Sequence, residues 1–263
     1  MLNLSANIST MFTEWPMVER PAAAAAAGFS AIEVQFPYAV ESSLFARAAR
    51  DAGVAVVLMN IPPGRLEVGE MGLACLPGRQ AEFARSVEDA MAYAEDIGCP
   101  KLNCLAGNVQ LGADPASCWQ MLVENLQWAA ERCAGRGLEL LAEVMNPVDL
   151  PAFRLTASSE GDALLAAVGH PNLRLQYDVY HRRAAGEDWL GGLVSRIASI
   201  GHIQFSDYPG RHEPGSGEID IDKLFTTVAA LPYNGWTGSE YWPSGATLDS
   251  LDWLSRAQAL CQR

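Results

Sequence analysis

Short apolar runs alternate with longer amphipathic ones along the whole chain. Leu2 to Ser9 reads as a first strand, and Pro21 sits early in an alanine-rich helix that stops at Gly28. Ala31 to Phe36 is a second strand, Glu41 to Ala52 a helix closed by Gly53, and Val54 to Ile61 a third strand. Such continuous apolar runs, rich in Val and Leu, fit strands covered on both faces. Pro62 to Arg79 has no period and reads as a long connection, the one place for an inserted lid or substrate loop. Glu82 to Ile97 then predicts a helix stopped by Gly98, Lys101 to Ala106 a fourth strand, and Pro115 to Gly135 a helix. Its Trp119, Leu122, Leu126 and Ala129 fall at helical spacing, which marks them as core.

The fifth strand lies in Leu138 to Pro147, followed by a helix over Ser158 to Val168 and a sixth strand ending at Asp178. A helix over Glu187 to Ser199, a strand over Gly201 to Ser206 and a glycine-rich loop from Pro209 to Gly217 come next. Asp220 to Leu231 reads as a helix, Gly235 to Tyr241 as the eighth strand, and Ala246 to Leu260 as the closing helix. A strand that passes through a helix to a parallel strand is the right-handed crossover unit. Eight such units with no linker predict a single (β/α)8 TIM barrel over 1–263, since that fold takes about 250 residues. An open doubly wound sheet is the alternative, but no Gly-x-Gly-x-x-Gly follows the first strand.

Four oxygen donors end four successive strands: Glu143, Asp178, Gln204 and Glu240. In a barrel, reacting groups sit where strands leave the carboxyl face, so these side chains are expected to converge. Two carboxylates about 4 Å apart repel by roughly 4 kcal/mol at an effective dielectric near 20. A divalent cation removes that penalty, and an all-oxygen donor set suits Mg²⁺ or Mn²⁺ better than Zn²⁺, with His181 and His202 nearby. Such a cation beside a sugar-like substrate stabilises the enediolate formed when a proton leaves the carbon between a carbonyl and a hydroxyl. Glu143 and Glu240 stand three strands apart around the ring, so topology makes them the pair that withdraws and returns the proton. His181, three residues past Asp178, is either a substrate contact or a satisfied loop histidine. Arg211 is either a carboxylate clamp or a surface cation. Glu218 and Asp220 read as helix-start acids.

Charge narrows the partners. A net charge of −13 argues against a phosphate-backbone partner, because nucleic-acid affinity comes largely from Lys and Arg displacing counterions. Six cysteines without a C-x-x-C pair (75, 99, 104, 118, 133 and 261) suit free thiols in a reducing cytoplasm. No secretory leader is expected from the amino terminus, and the Ala22 to Ala27 tract is too short to span a bilayer. Apolar helix faces could support a homo-oligomer without demanding one.

Eight short motifs together resemble the hydroxypyruvate isomerase family of the xylose isomerase-like barrels. They are Ser-Ala-Asn at Ser5, Phe-Pro-Tyr at Phe36, Gly-Leu-Ala-Cys-Leu-Pro-Gly-Arg at Gly72 and Leu-Asn-Cys-Leu-Ala-Gly at Leu102. Leu-Val-Glu-Asn-Leu at Leu122, Gln-Tyr-Asp-Val-Tyr-His at Gln176, Glu-Pro-Gly-Ser-Gly-Glu-Ile at Glu213 and Tyr-Asn-Gly-Trp at Tyr233 complete the set. The resemblance implies a metal-dependent isomerase of small hydroxy-oxo acids, interconverting hydroxypyruvate and tartronate semialdehyde, with a close branch acting on 2-oxo-tetronates. It implies Glu143 and Glu240 as acid/base pair and metal ligands, Asp178 and Gln204 as further ligands, and His181 and Arg211 near the substrate. Met59, Val144, Met145, Pro147 and Trp242 depart from the family pattern, and Trp242 stands where a Lys is usual. Sugar epimerases and abasic-site endonucleases share the barrel, and a non-catalytic sugar-acid sensor is a further alternative. A nuclease wants several metal-binding His and a basic groove, whereas this chain has four His.

Overall fold

The computed structural model describes residues 2–260, so Cys261 lies outside the described residues. Eight strands carry the sheet: β1 (Asn3–Asn7), β2 (Ala31–Val34), β3 (Ala55–Asn60), β4 (Lys101–Cys104), β5 (Glu139–Glu143), β6 (Leu173–Asp178), β7 (Ile200–Phe205) and β8 (Trp236–Ser239). Each pairs in parallel with the next, and β8 returns to β1 to close the barrel. The helices are α1 (Arg20–Ala26), α2 (Ser42–Ala52), α3 (Gln80–Ile97), α4 (Pro115–Ala134), α5 (Ser158–Val168), α6 (Val179–Ala184), α7 (Trp189–Arg196), α8 (Ile221–Ala230) and α9 (Asp252–Leu260). The closed (β/α)8 architecture is as the alternating pattern predicts.

The helices form where caps and apolar stripes agree. Asp114 caps α4 by accepting the backbone N–H groups of Ala116 and Ser117, and Leu122, Leu126 and Ala129 of its inner face are fully buried. Trp119 is only partly buried and carries the Arg154 guanidinium 4.9 Å over its ring, so it is less a core residue than the periodicity suggests. Burying a Leu such as Leu122 or Leu126 contributes about 1.5–3 kcal/mol, which anchors this long helix on the sheet. Asp220 accepts the Lys223 N–H as the cap of α8, whereas Glu218 stays in the preceding loop and pairs with Arg183.

Two local differences matter for the site. Between Asp178 and Glu187 the sequence pattern shows no helix, yet α6 occupies Val179–Ala184, so His181 is a helical residue rather than a loop one. Asp178 explains the turn: it ends β6 and its side chain accepts the Tyr180 N–H, capping α6 at once. Arg182, buried on α6, donates to the carbonyls of Val144 and Met145 and so fixes the chain where it leaves β5. The helix expected over Glu187 to Ser199 starts at Trp189, with Asp188 as its cap, and ends in a tight turn over Ile197–Ser199.

The barrel interior turns polar toward its carboxyl end. Glu143 lies level with Gln176 across β5 and β6, and Asp178 level with Gln204 across β6 and β7. Below them Glu33 of β2 is buried, accepting from Ser5 Oγ at 2.7 Å and from Gln204 Nε2 at 2.7 Å and sitting 2.7 Å from His202 Nε2. Room for it comes from Gly238, where a Cβ would fall 1.6 Å from Glu33 Oε1. Although burial opposes its charge, His202, Ser5 and Gln204 hold the Glu33 carboxyl below the usual value.

Candidate active site at the carboxyl end of the barrel

The last four strands deliver the four anticipated side chains. Glu143 is the last residue of β5, Asp178 the last of β6, Gln204 lies within β7, and Glu240 follows directly on β8. Arg211 comes from the loop between β7 and α8 and bridges two of them, donating from one terminal nitrogen to Asp178 at 3.1 Å and to Glu240 at 2.7 Å. Glu143 and Asp178 are close enough to His181 for one ligand atom from each to lie within 4.8 Å of the others. Gln204 is engaged from below: its Nε2 donates to Glu33, and its Oε1 accepts from Gln176 Nε2 at 2.6 Å. The carboxylate acceptor on Glu33 fixes that amide orientation.

The loop carrying Arg211 is built on Asp207. This buried carboxylate accepts four backbone N–H groups, those of Tyr208, Gly215, Gly217 and Ile219, at 2.8 to 2.9 Å. Gly217 is required here, since a Cβ would lie 2.2 Å from the Tyr208 carbonyl oxygen. Arg211 itself adopts a left-handed φ of 56°, rare for a side chain of this size, and its guanidinium stands 5.1 Å from the Tyr180 ring centre. Trp242 holds the loop through its backbone, donating its N–H to the Arg211 carbonyl at 2.9 Å, while its indole is half exposed at the rim.

Electrostatics follow from burial. Glu143 is pushed up to about 7, first by desolvation and then by the neighbouring Asp178 carboxylate, against the pull of Arg211. Asp178 is raised mainly by burial, and Glu240 well above the ordinary range by burial and then by Glu143 and Asp178. Burial works against the charge on Arg211, but Glu240 and Asp178 outweigh it and keep the guanidinium protonated. His181 moves the other way: burial, then Arg211 and Arg182, hold it well below 6.5. Its Nε2 lies 3.6 Å from Asp178 and 3.9 Å from Glu143, within reach of an ion pair, but a neutral ring forms none.

Three carboxylates against one guanidinium leave two uncompensated negative charges in a buried site, if all ionise. That is the deficit one divalent cation fills, and hard oxygen donors are its preferred ligands. Among the described residues, Glu143, Asp178 and His181 form the group with ligand atoms within 4.8 Å of one another, and Glu240 is joined to Asp178 through Arg211, so the donors fit such an ion.

Glu143, Glu240, His181 and Arg211 line a cavity of about 80 Å³, with Phe36, Met71 and Met145 as apolar wall and Gln35, Asn60 and Gln176 as further polar lining. A larger groove of about 640 Å³ lies between α1 and α2. Its lining is alanine-rich and lacks the converging carboxylates, so the chemistry belongs to the smaller cavity. Residues not singled out in the sequence complete the site: Asn103 donates to Glu143 at 2.8 Å and Gln35 to Glu240 at 2.9 Å. Their signal was available. Glu33, Asn103 and Gln176 are polar residues inside apolar strands, where a two-sided cover leaves no solvent to satisfy them.

A parallel barrel with an acid cluster at the carboxyl mouth defines the class to which the chain belongs. The profile of the xylose isomerase-like TIM barrel family matches residues 21–257, and the chain is a member of that family. It is similar to a putative hydroxypyruvate isomerase of Homo sapiens, 40% identical over 260 residues, covering 96% of this chain and 94% of the relative. Equally similar is a 2-oxo-tetronate isomerase of Cupriavidus necator, 40% identical over 255 residues, covering 97% and 98%. A crystal structure described as an AP endonuclease, family 2, from Brucella melitensis superposes with a TM-score of 0.94 at 34% identity, covering 97% of this chain and 99% of that one. The family resemblance carried by the eight motifs is thereby borne out.

Proposed function

We propose that this protein is a divalent-cation-dependent isomerase that interconverts hydroxypyruvate and tartronate semialdehyde, or the corresponding four-carbon 2-oxo-tetronate pair, in a reducing cytoplasm. The observation that carries the reading is that Glu143, Glu240 and Arg211 line one cavity of about 80 Å³, with Asp178 joined to it through Arg211. The names of the relatives at 40% identity support the same reaction class.

A divalent cation held by Glu143, Asp178 and Glu240, with Gln204 alongside, would draw electron density from the adjacent carbonyl and hydroxyl oxygens of the substrate. The chain's own residues do the rest. Hydroxypyruvate loses a proton from C3 and regains one at C2, while the hydrogen on the C3 oxygen is exchanged for one on the C2 oxygen. Glu143 at the end of β5 and Glu240 after β8 both line the cavity and serve as the carboxylates that take and return the carbon-bound proton. Their raised pKa values suit that work, since a base poised near 7 both accepts and releases a proton readily. Arg211 clamps the substrate carboxylate; its Nε is buried with no protein partner.

An abasic-site nuclease, the description borne by the Brucella structure, fits less well. The net charge is −13, and His181 is the one His among the cavity-lining residues. A non-catalytic sensor has no use for two buried acids of raised pKa. The deciding experiment is deuterium incorporation in D₂O across C3 to C6 hydroxy-oxo compounds, with and without Mn²⁺. Cation-dependent exchange with net isomerisation of the C3 or C4 acids is expected. Activity at the wild-type level in Glu240→Gln, or preference for a six-carbon ketose, would reject the assignment.

A further inference from the structure

The orientation of one amide decides what His181 can do. Asn146 Oδ1 accepts the backbone N–H groups of Val148 at 3.0 Å and Asp149 at 2.8 Å. Two N–H donors demand an oxygen, so the amide cannot be turned round. Nδ2 then faces the opposite side, 2.8 Å from Asp149 Oδ2 and 2.7 Å from His181 Nδ1. An amide nitrogen offers two hydrogens and no lone pair, so it donates to both. Asp149 Oδ2 also accepts the Tyr180 hydroxyl at 2.9 Å, which pins the carboxylate from its other side.

We propose that Asn146, held by Asp149, locks His181 as the Nε2–H tautomer, which makes His181 a neutral hydrogen-bond donor to a substrate oxygen and withholds it from the cation's ligand set. The donor role rests on the isomerase reading above. With Nδ1 presenting its lone pair to Asn146, the ring proton belongs on Nε2. That atom is buried and has no hydrogen-bond partner, because Asp178 at 3.6 Å and Glu143 at 3.9 Å are too far to accept one. A donor is therefore left facing the cavity that His181 helps to line.

Spacing alone admits His181 as a third ligand beside Glu143 and Asp178. Ligation needs the Nε2 lone pair, which sends the ring proton to Nδ1. There it meets the Asn146 hydrogen across 2.7 Å with no acceptor between them. Ligation by His181 and the observed Asn146 contact exclude one another. The same contact bars the imidazolium, so His181 supplies a hydrogen bond to the oxygen that gains electron density without adding a fourth partner to the acid cluster. Asn146 is thus a positioning residue, acting through His181.

The test is the histidine tautomer itself, read by two-bond ¹H–¹⁵N correlation on protein labelled at histidine. Four His make the spectrum tractable, and the His181→Gln difference assigns the ring. The Nε2–H pattern is expected at neutral pH with and without Mg²⁺. Asn146→Asp presents an acceptor to Nδ1 and is expected to draw the proton there, lowering kcat/KM about 10²-fold while Mg²⁺ still binds. Should the paired carboxylates unfold that variant, Asn146→Asp with Asp149→Asn keeps the charge count and makes the same exchange. An Nδ1–H or imidazolium pattern in the wild type, a switch to Nδ1–H on adding Mg²⁺, or an unmoved tautomer in the variants would overturn the lock. An inactive wild type with Nε2–H intact upholds the lock and overturns the isomerase reading with its donor role; an active enzyme with Nδ1–H overturns the lock alone.

Discussion

Stripping divalent cations should make this protein lose stability as pH rises, the reverse of the usual behaviour of carboxylates. In the ion-free fold Glu143 titrates at about 7 against an ordinary 4.5, because burial and Asp178 disfavour its charge. Between those values the folded chain holds a proton that the unfolded chain has released. Stability contributed by the protonated form is complete below 4.5 and declines until pH passes 7. Moving that single carboxyl from 4.5 to about 7 corresponds to about 3 kcal/mol, taking 1.36 kcal/mol for each tenfold change. An entropy of unfolding of about 2.1 cal/mol/K per residue turns this into a fall of about 6 °C in Tm for a chain of 263 residues. Asp178 and Glu240 shift in the same direction and carry the decline further. Bound cation reverses the situation, since it requires the ionised acids. The assay is thermal unfolding from about pH 5 to about pH 8 in EDTA and again in excess Mg²⁺, alongside Glu143→Gln, which is neutral throughout. A falling Tm in EDTA, a flatter profile in Mg²⁺ and a shallower slope in the variant are expected. A flat or rising profile in EDTA, or an unchanged slope in Glu143→Gln, would refute the picture of mutually repelling buried acids.

Further outcomes follow from single contacts. Arg211→Lys keeps the charge but loses the forked donor set, and steady-state kinetics should show KM raised about 10-fold or more with Mg²⁺ affinity little changed. Asp207→Asn removes the charged acceptor of four N–H groups beneath the Arg211 loop; calorimetry should record a loss of about 1–3 kcal/mol, and KM should rise with it. Gly238→Ala places a methyl 1.6 Å from Glu33 Oε1 in a packed interior, so it should either prevent folding or lower Tm by several degrees, a cost of about 1–3 kcal/mol for overpacking.

The barrel is legible in the chain because its pattern is redundant. Eight strands repeat one design, α2 to α8 each carry a glycine or an aspartate at one cap, and a mistake of two residues at Phe36 or Ala106 changes no neighbour. A short helix of six residues escapes such reading. α6 has no amphipathic repeat of its own and exists because Asp178 caps it and Arg182 ties it to the chain leaving β5. The acids at the strand ends are legible for a related reason: a charged residue closing an apolar strand has few structural uses. Their partners are not. Nothing in the residue types around Arg211 says that it will reach Asp178 and Glu240 rather than solvent, since that depends on Asp207 gathering a loop through backbone atoms that every sequence possesses.

The deeper polar layer shows what position adds to identity. Glu33 lies in Ala-Ile-Glu-Val, where a charge between two apolar neighbours is visible as an exception yet points to no chemistry by itself. In the fold it accepts from Gln204 and Ser5 and faces His202, and Gly238 of β8 makes the room. Because Glu33 can only accept, Gln204 must turn its Nε2 downward and its Oε1 toward Gln176. Gln204 reaches the acid cluster with its oxygen or not at all, and Glu33 decides which. Asn146 does the same for His181 from above. Two side chains whose roles follow from which atom they present are each oriented by a neighbour that the reaction never touches, and such pairs come from residues as distant in the chain as 33 and 204.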